Sequence, residues 1–320
     1  MATTAGRVTL WGIEVFVATA EEGAISTASR RLGTSAATVS QQLTNLEGAI
    51  GTTLLDRGAR PVTLTPAGEM FLRRANTILN EAEQARAELA MADLSRLTRL
   101  RLGMIEDFDA DVTPALLSEM SKDLKNCQFM LETGATHHLL ELLDTRALDV
   151  VVAADMGQTK AGMEVYPLLE EPFVAAVPKG VIKDGDVAKQ LRRMPMIQYT
   201  TRHHMGRMVK AHLDNEGVSL AQRFELDSYH AIMAMVADGA GWSILTPLGW
   251  MRAGRFCDQV DLIKLPFGVL TRRISLTSRK DVLSTMPSTI ADRLRPLLQT
   301  MMIDPAVAEH PWLAEKLRLV

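Results

Sequence analysis

Five polar side chains, Ser35, Thr38, Gln41, Gln42 and Asn45, recur through "TSAATVSQQLTNLE" on one side of a predicted helix, with Ser40 beside them. Gln and Asn can pair bidentately with adenine, and Ser or Thr can meet a base or a phosphate. A face of this kind reads bases without charge, so affinity for nucleic acid has to come from cations elsewhere. Arg30, Arg31, Arg57 and Arg60 are the candidates. Between residues 24 and 60 these four arginines face only Glu47 and Asp56, a formal excess of two positive charges.

Other chemistries have weaker grounds. His137-His138 and His203-His204 are adjacent pairs. Neighbours on a helix point about 100° apart, whereas metal sites favour i, i+3 or i, i+4 spacing. No G-x-S-x-G, H-E-x-x-H, P-loop or G-x-G-x-x-G occurs in a strand–turn–helix context, so no catalytic, metal or cofactor site is expected. Cys127 falls in a predicted strand and Cys257 has no sequence reason to pair with it; two cysteines make no disulfide framework and suit a reducing cytoplasm. The 18 methionines are expected as adaptable core filler.

The elements that carry these residues follow from periodicity. Leu10, Ile13, Val15, Phe16, Val17 and Ala20 predict a first helix stopped by Gly23, and Ile25, Ala28 and Leu32 a second stopped by Gly33. Ser35 is a good N-cap for a third, with Ala36, Val39, Leu43 and Leu46 as its apolar stripe. Two helices joined by a glycine turn make a helix-turn-helix. "LLDRGARPVTLT" then predicts a hairpin wing, and Thr65-Pro66 opens a long helix with proline at its first position. Phe71, Ala75, Ile78, Ala82, Ala85, Leu89 and Ala92 alternate at spacings of 4 and 3, a seam suited to pairing with a partner copy.

From residue 100 the rhythm turns to alternating strands and helices: "LRLGM", "CQFMLET", "DVVVAAD", "FVAAVP", "MIQYT", "AQRFEL", "WSILTP" and "RRISLTS" as strands, with helical runs between most of them. That alternation predicts parallel sheet with helices on both faces, long enough for two small α/β lobes. At 320 residues, 47% apolar and 23% charged, a sizeable core can form. The net charge of -3 counts against a chain that is cationic throughout. The first 23 residues are helix-periodic and interrupted by Glu14, unlike a signal peptide, and no apolar run approaches the roughly 18 residues of a spanning helix. A soluble, cytoplasmic protein is expected.

"AEEGAISTASRRLGTSAATVSQQLTNLEGAIGTTLLDRGARPVTLTPAG" closely resembles the winged helix-turn-helix of LysR-type transcriptional regulators. The carriers are E-x-G ending the first helix, S-x-x-L-x-x-L-E in the third, D-R before the wing and L-T-x-A-G opening the linker helix. "ETGATHHLLELLDTRALDVVVAAD" and "MAMVADGAGWSILTP" resemble segments of the same family's effector domain. The implied fold is α/β with an N-terminal all-α winged helix-turn-helix (1–65), a long linker helix (66–93), a hinge (94–99), a C-terminal two-lobed α/β effector domain resembling type 2 periplasmic binding proteins (100–301, second lobe about 170–265) and a C-terminal extension (302–320) read as a docked short helix. Departures are specific: Ala36, Gln41, Leu55 and Ser29 stand where the family often has glutamine, a basic residue, phenylalanine and alanine. They alter the base-contact set, not the fold.

The resemblance implies a homodimer or tetramer on promoter DNA whose operator binding answers to a small-molecule effector in the cleft between the lobes. It implies ligand contacts at four loops, through Glu106, Asp107, Phe108, Thr133, Thr136, Tyr199, Thr201, His203, Ser228 and Thr246. The acids Glu106, Asp107, Asp109 and Asp111 either disfavour an anion and favour an amine or simply complement the start of the following helix from solvent, and Tyr199, Tyr229 and Trp242 either wall an aromatic ligand or pack in the core. The rival expectation is an enzyme or small-molecule-binding protein whose N-terminal helices serve only for dimerisation.

Overall fold

A computed structural model of the chain describes residues 7–89, 97–157, 160–280 and 282–320. The chain divides into two compact units, residues 1–90 with 145–147, and residues 91–144 with 148–320.

The first unit runs α1 (Leu10–Glu22), α2 (Ile25–Arg31), α3 (Ala36–Ile50), β1 (Leu55–Asp56), β2 (Thr63–Leu64) and α4 (Pro66–Leu89). Ser35 caps α3 as expected, its Oγ accepting from Thr38 N at 3.1 Å, and Gly51 ends it with φ +81°, the left-handed cap that favours glycine. Ile13 and Phe16 of α1, Val39, Leu43 and Leu46 of α3, and Leu54 and Leu55 close one small core. Ala36 is a correction. It is exposed, and the buried stripe begins at Val39, because Val39, Leu43 and Leu46 share one narrow side of the helix and Ala36 falls at its edge in the first turn.

The wing forms between β1 and β2, antiparallel, with Leu55 opposite Leu64. α4 then starts hard against it: a Cβ on Gly68 would lie 2.0 Å from the Leu54 carbonyl oxygen, so only glycine fits. The expected seam of α4 is divided. Ala75 is buried and Phe71 meets Phe16 edge-on at 5.3 Å, because α4 leaves the wing along α1 and its first turns complete their own domain's core. Ile78 is 40% exposed, and Ala85 is exposed. The far end of the seam at Ala92, the helix end at Asp93 and the hinge residues 94–96 lie outside the described residues, and the expected hinge position Arg99 already belongs to the first strand of the second unit.

The second unit runs β3 (Arg99–Met104), α5 (Val112–Asp123), β4 (Gln128–Thr133), α6 (Thr136–Asp144), β5 (Val150–Ala154), β6 (Met163–Pro172), β7 (Val174–Pro178), α7 (Val187–Leu191), β8 (Met196–Tyr199), α8 (His204–Asn215), β9 (Gln222–Leu226), α9 (Tyr229–Ala237), β10 (Ser243–Leu245), α10 (Pro247–Arg252), β11 (Val260–Lys264), β12 (Thr271–Arg279), α11 (Met286–Leu298), α12 (Asp304–Glu309) and β13 (Arg318–Leu319). One lobe holds the sheet β13-β6-β12-β5-β3-β4; the other holds β10-β7-β11 and β8-β9, joined by a bridge between Met196 and Trp242. The fully buried run Val150–Ala154 is the central-strand pattern of a sheet covered on both faces.

The expectation of parallel sheet holds for β4, β3 and β5 in the first lobe and for β8 and β9 in the second, and fails for the strands that cross between the lobes. The chain crosses to the second lobe through β6 and β7 and returns through β11 and β12, and the returning β12 pairs antiparallel with both β5 and β6. β6, β11 and β13 add to the expected strands. β6 carries Pro167 opposite an irregularity in β12, and proline normally argues against a strand interior. Beyond residue 302, α12 docks through buried Ala306 and the tail adds β13 as an edge strand on β6.

Candidate DNA-reading face and effector cleft

On α3 the buried stripe turns Ser35, Gln41 and Asn45 to the exposed side, with Thr38, Ser40 and Gln42 half-buried at its margins. Neighbours order this face: Gln41 Nε2 donates to Asn45 Oδ1 at 2.9 Å, and the Ser35 and Thr38 hydroxyls lie 2.8 Å apart. Glu47, next along the helix, is a structural hub. Its Oε1 accepts from the backbone of Leu54 at 2.8 Å and Leu55 at 3.1 Å, and its other oxygen pairs with Arg57. The four expected phosphate-binding arginines therefore differ. Arg57 is half-buried, bonded to Glu47 and at 3.2 Å to Thr44 Oγ1. Arg31 pairs with Glu21 and Glu22 at 2.7 and 3.1 Å. Arg30 bonds only Ser26 and Thr27 of its own helix, at 3.4 and 3.5 Å, and Arg60 is exposed on the wing.

Strand ends of both lobes converge on a cavity of about 50 Å³. Its walls include Glu106 and Asp107 after β3, Thr136 at the start of α6, Tyr199 ending β8, His203 and His204 before and at the start of α8, Tyr229 at the start of α9, and Arg272 on β12. Arg272 is buried with two carboxylates. Its Nη2 donates to Asp107 Oδ1 at 2.7 Å and its Nε to Glu171 Oε1 at 2.7 Å, while Thr246 Oγ1 lies 3.3 Å from Nη2. Tyr229 reaches Asp107 at 3.4 Å, and Leu248 N donates to Glu171 at 3.3 Å. Asp107 belongs to the first lobe, Tyr229 and Leu248 to the second, and Arg272 and Glu171 to the crossing strands. The cluster thus sits at the junction of the lobes.

Glu171 is fully buried, and burial pushes its carboxyl up to about 7 against the opposing pull of Arg272. Desolvation lowers the His203 imidazole, helped by His137, whose ring centre lies 5.8 Å away. His204 is lowered in the same way, first by desolvation and then by Arg207. Both thiols are pushed up by burial, Cys127 to about 11 and Cys257 to about 12. Among the described residues no group of three or more His, Cys, Asp or Glu side chains is placed to hold a metal ion.

Residues 10–69 match the family model described as "Bacterial regulatory helix-turn-helix protein, lysR family", and residues 95–299 match "LysR substrate binding domain". The chain belongs to the LysR family of transcriptional regulators. It is a DNA-binding regulator rather than an enzyme, as the resemblance implied. The "Probable hydrogen peroxide-inducible genes activator" of Mycobacterium xenopi is 33% identical over 180 residues, 56% of this chain and 95% of that protein. The "DNA-binding transcriptional dual regulator OxyR" of Escherichia coli K12 is 27% identical over 244 residues, 74% of this chain and 78% of that one. In fold, a full-length OxyR point variant from Pseudomonas aeruginosa superposes with a TM-score of 0.67 at 24% identity, covering 90% of this chain and 95% of that one. CbnR complexed with its target DNA gives 0.63 at 19% identity, covering 91% and 100%. Among the described residues no helix of this regulator is long and apolar enough to cross a membrane.

Of the residues expected at the effector site, the cavity brings together Glu106, Asp107, Thr136, Tyr199 and His203. The other five lie outside its walls. Phe108 is 0% exposed in the core; Thr133 is exposed at the end of β4. Thr201 bonds Glu225 through its backbone at 3.1 Å, Ser228 is the cap position of α9, and Thr246 caps α10 behind Arg272. Two of the four acids after β3 have partners that neither expectation included. Asp107 is paired with Arg272, and Asp109 is paired with Arg252. Sequence reasoning missed Arg272, one of two adjacent arginines in a strand. Its alternation with Ile274 and Leu276, which places it on their face of the strand, was the available signal.

Proposed function

We propose that the α3 face carrying Ser35, Thr38, Ser40, Gln41, Gln42 and Asn45 reads operator bases while Arg30 and Arg60, unpaired with any acid in the described contacts, bind phosphate. A small effector enters the cavity at the lobe junction and changes how the lobes meet, and operator binding follows. The observation that carries this reading is the cavity wall where Asp107 of the first lobe and Tyr229 of the second meet Arg272, itself held from behind by buried Glu171. Paired α4 helices, through exposed Ile78 and Ala85, supply the homodimer that a two-half-site operator needs.

The effector class follows from charge and room. Glu106 and Asp107 line the cavity beside one guanidinium, and Arg272 is already paired with Asp107 and with Glu171 behind it, so an anion finds no free cation there; a small amine or an uncharged hydrogen-bonding molecule fits better. A cavity of about 50 Å³ is well below the roughly 150 Å³ that takes up benzene, so an aromatic effector against Tyr199 and Tyr229 requires the lobes to part. Relatives named for hydrogen peroxide invite a peroxide response. The chemistry of this chain opposes one by thiolate, since its only two cysteines are held as thiols and neither lines the cavity.

The test is a gel-shift assay on the DNA upstream of the protein's own gene, run with and without peroxide, beside a thermal-shift screen of amines against carboxylates. A salt-sensitive, sequence-selective shift indifferent to peroxide, with stabilisation by amines or neutral molecules, is expected. Absence of any selective shift overturns the regulator reading. Stabilisation by carboxylates alone overturns the effector class.

A further inference from the structure

Arg7, just ahead of α1, is exposed and stands outside every motif considered above. With Thr9 and Gly12 it forms one side of a groove of about 360 Å³ whose other side is Gln42, Asn45 and Leu46 of α3. Two further contacts fix this juxtaposition. Thr9 Oγ1 caps α1 by accepting from Gly12 N at 3.0 Å, and a Cβ on Gly12 would lie 3.8 Å from Leu46 Cβ. The start of α1 is therefore packed onto the middle of α3, and Arg7 comes up beside two members of the reading face.

The cation inventory gives this position its weight. Of the four arginines credited with phosphate binding, Arg31 and Arg57 are already tied to carboxylates. A reading face with no charge of its own needs other cations at its flanks. We propose that Arg7 binds a backbone phosphate of the operator, flanking the bases met by Gln42 and Asn45, and so supplies affinity without choosing sequence. This rests on the DNA-binding reading of the winged domain. A DNA strand lying in the groove brings one phosphate to the guanidinium while the α3 amides face the major groove edge.

The experiment measures affinity of the full chain for its upstream fragment and for a scrambled duplex between 50 and 200 mM salt, in wild type, Arg7→Ala and Arg7→Lys. A contacted phosphate contributes a slope of about -0.9 to log affinity against log salt. Arg7→Ala is expected to weaken both duplexes about three- to tenfold and to make the slope shallower by about 1 per winged domain on the DNA. Arg7→Lys restores most of it, since a point charge satisfies a phosphate. Melting temperature should not move, because the side chain is exposed. Unchanged affinity and slope in Arg7→Ala, with a wild-type shift intact, overturns this assignment alone. A loss confined to the specific fragment that Arg7→Lys does not rescue overturns it in favour of base readout. A wild type that shifts no DNA overturns the DNA-binding reading and this assignment with it.

Discussion

Gln41 is bonded to Asn45 in the free protein, so the reading face is ordered before DNA arrives. Its exposed side chain touches no core. Gln41→Ala should leave the melting temperature unchanged, yet reduce the preference for operator over scrambled duplex by roughly tenfold, the scale of about 1–3 kcal/mol for a bidentate base contact. Competition gel shifts measure it. Glu171 yields a pH prediction. Its folded carboxyl is raised to about 7 from an ordinary 4.5, so the folded chain holds that proton more tightly than the unfolded chain. Stability from this group is complete below about 4.5 and is lost as pH rises through about 7. Glu171→Gln removes the dependence, so the variant should gain on the wild type between pH 5 and 8 in melting experiments. His203 and His204 are lowered and act with opposite sign, but they are common to both proteins and cancel in the difference. A gap independent of pH would refute the assignment.

At the scale of elements, the winged domain depends on Glu47 and Gly68 as much as on its helices. Glu47 joins the C-terminal half of α3 to the chain entering β1 and to Arg57 beyond it. Arg57 is thereby tied to the position of the wing as well as being an expected phosphate contact. Gly68 lets α4 begin in contact with the Leu54 carbonyl. Gly68→Ala forces backbone apart and should destabilise the domain by at least about 2 kcal/mol, within the range of overpacking, read as a lowered denaturant midpoint. Wild-type stability in that variant would mean α4 starts elsewhere. The residues at these joints were legible as the L-E, D-R and T-x-A-G motifs. What each of them touches was not, because the partners come from separate elements.

For the whole molecule, α4 is an element whose apolar seam is only partly buried among the described residues. Its early seam residues Phe71 and Ala75 finish their own domain's core, whereas Ile78 is left 40% exposed. Ile78→Glu places a charge where a partner helix should pack. It is expected to shift the protein toward monomer in light scattering or sedimentation and to weaken operator binding through the lost second half-site. An unchanged oligomer would move the dimer interface off α4.

The amino-acid sequence by itself determined the local elements, since caps, glycine stops and 3.6- or 2-residue periodicity act over a few neighbours. The helices α1 to α3, the proline-led α4 and the strongly apolar strands β5 and β7 were all legible in this way. It also marked the polar face of α3, because one helical turn sets which side chains share a side. Strand direction was not legible: β5 and β12 look alike as strings, and only the double crossing between lobes makes β12 run backwards. The candidate effector cavity was half legible for the same reason. Asp107 and Arg272 stand 165 positions apart, and nothing local brings a guanidinium to that carboxylate. Of the four acids after β3, Asp107 and Asp109 turn out to be paired with arginines far along the chain, because ion pairs between distant segments exist only once the chain is folded.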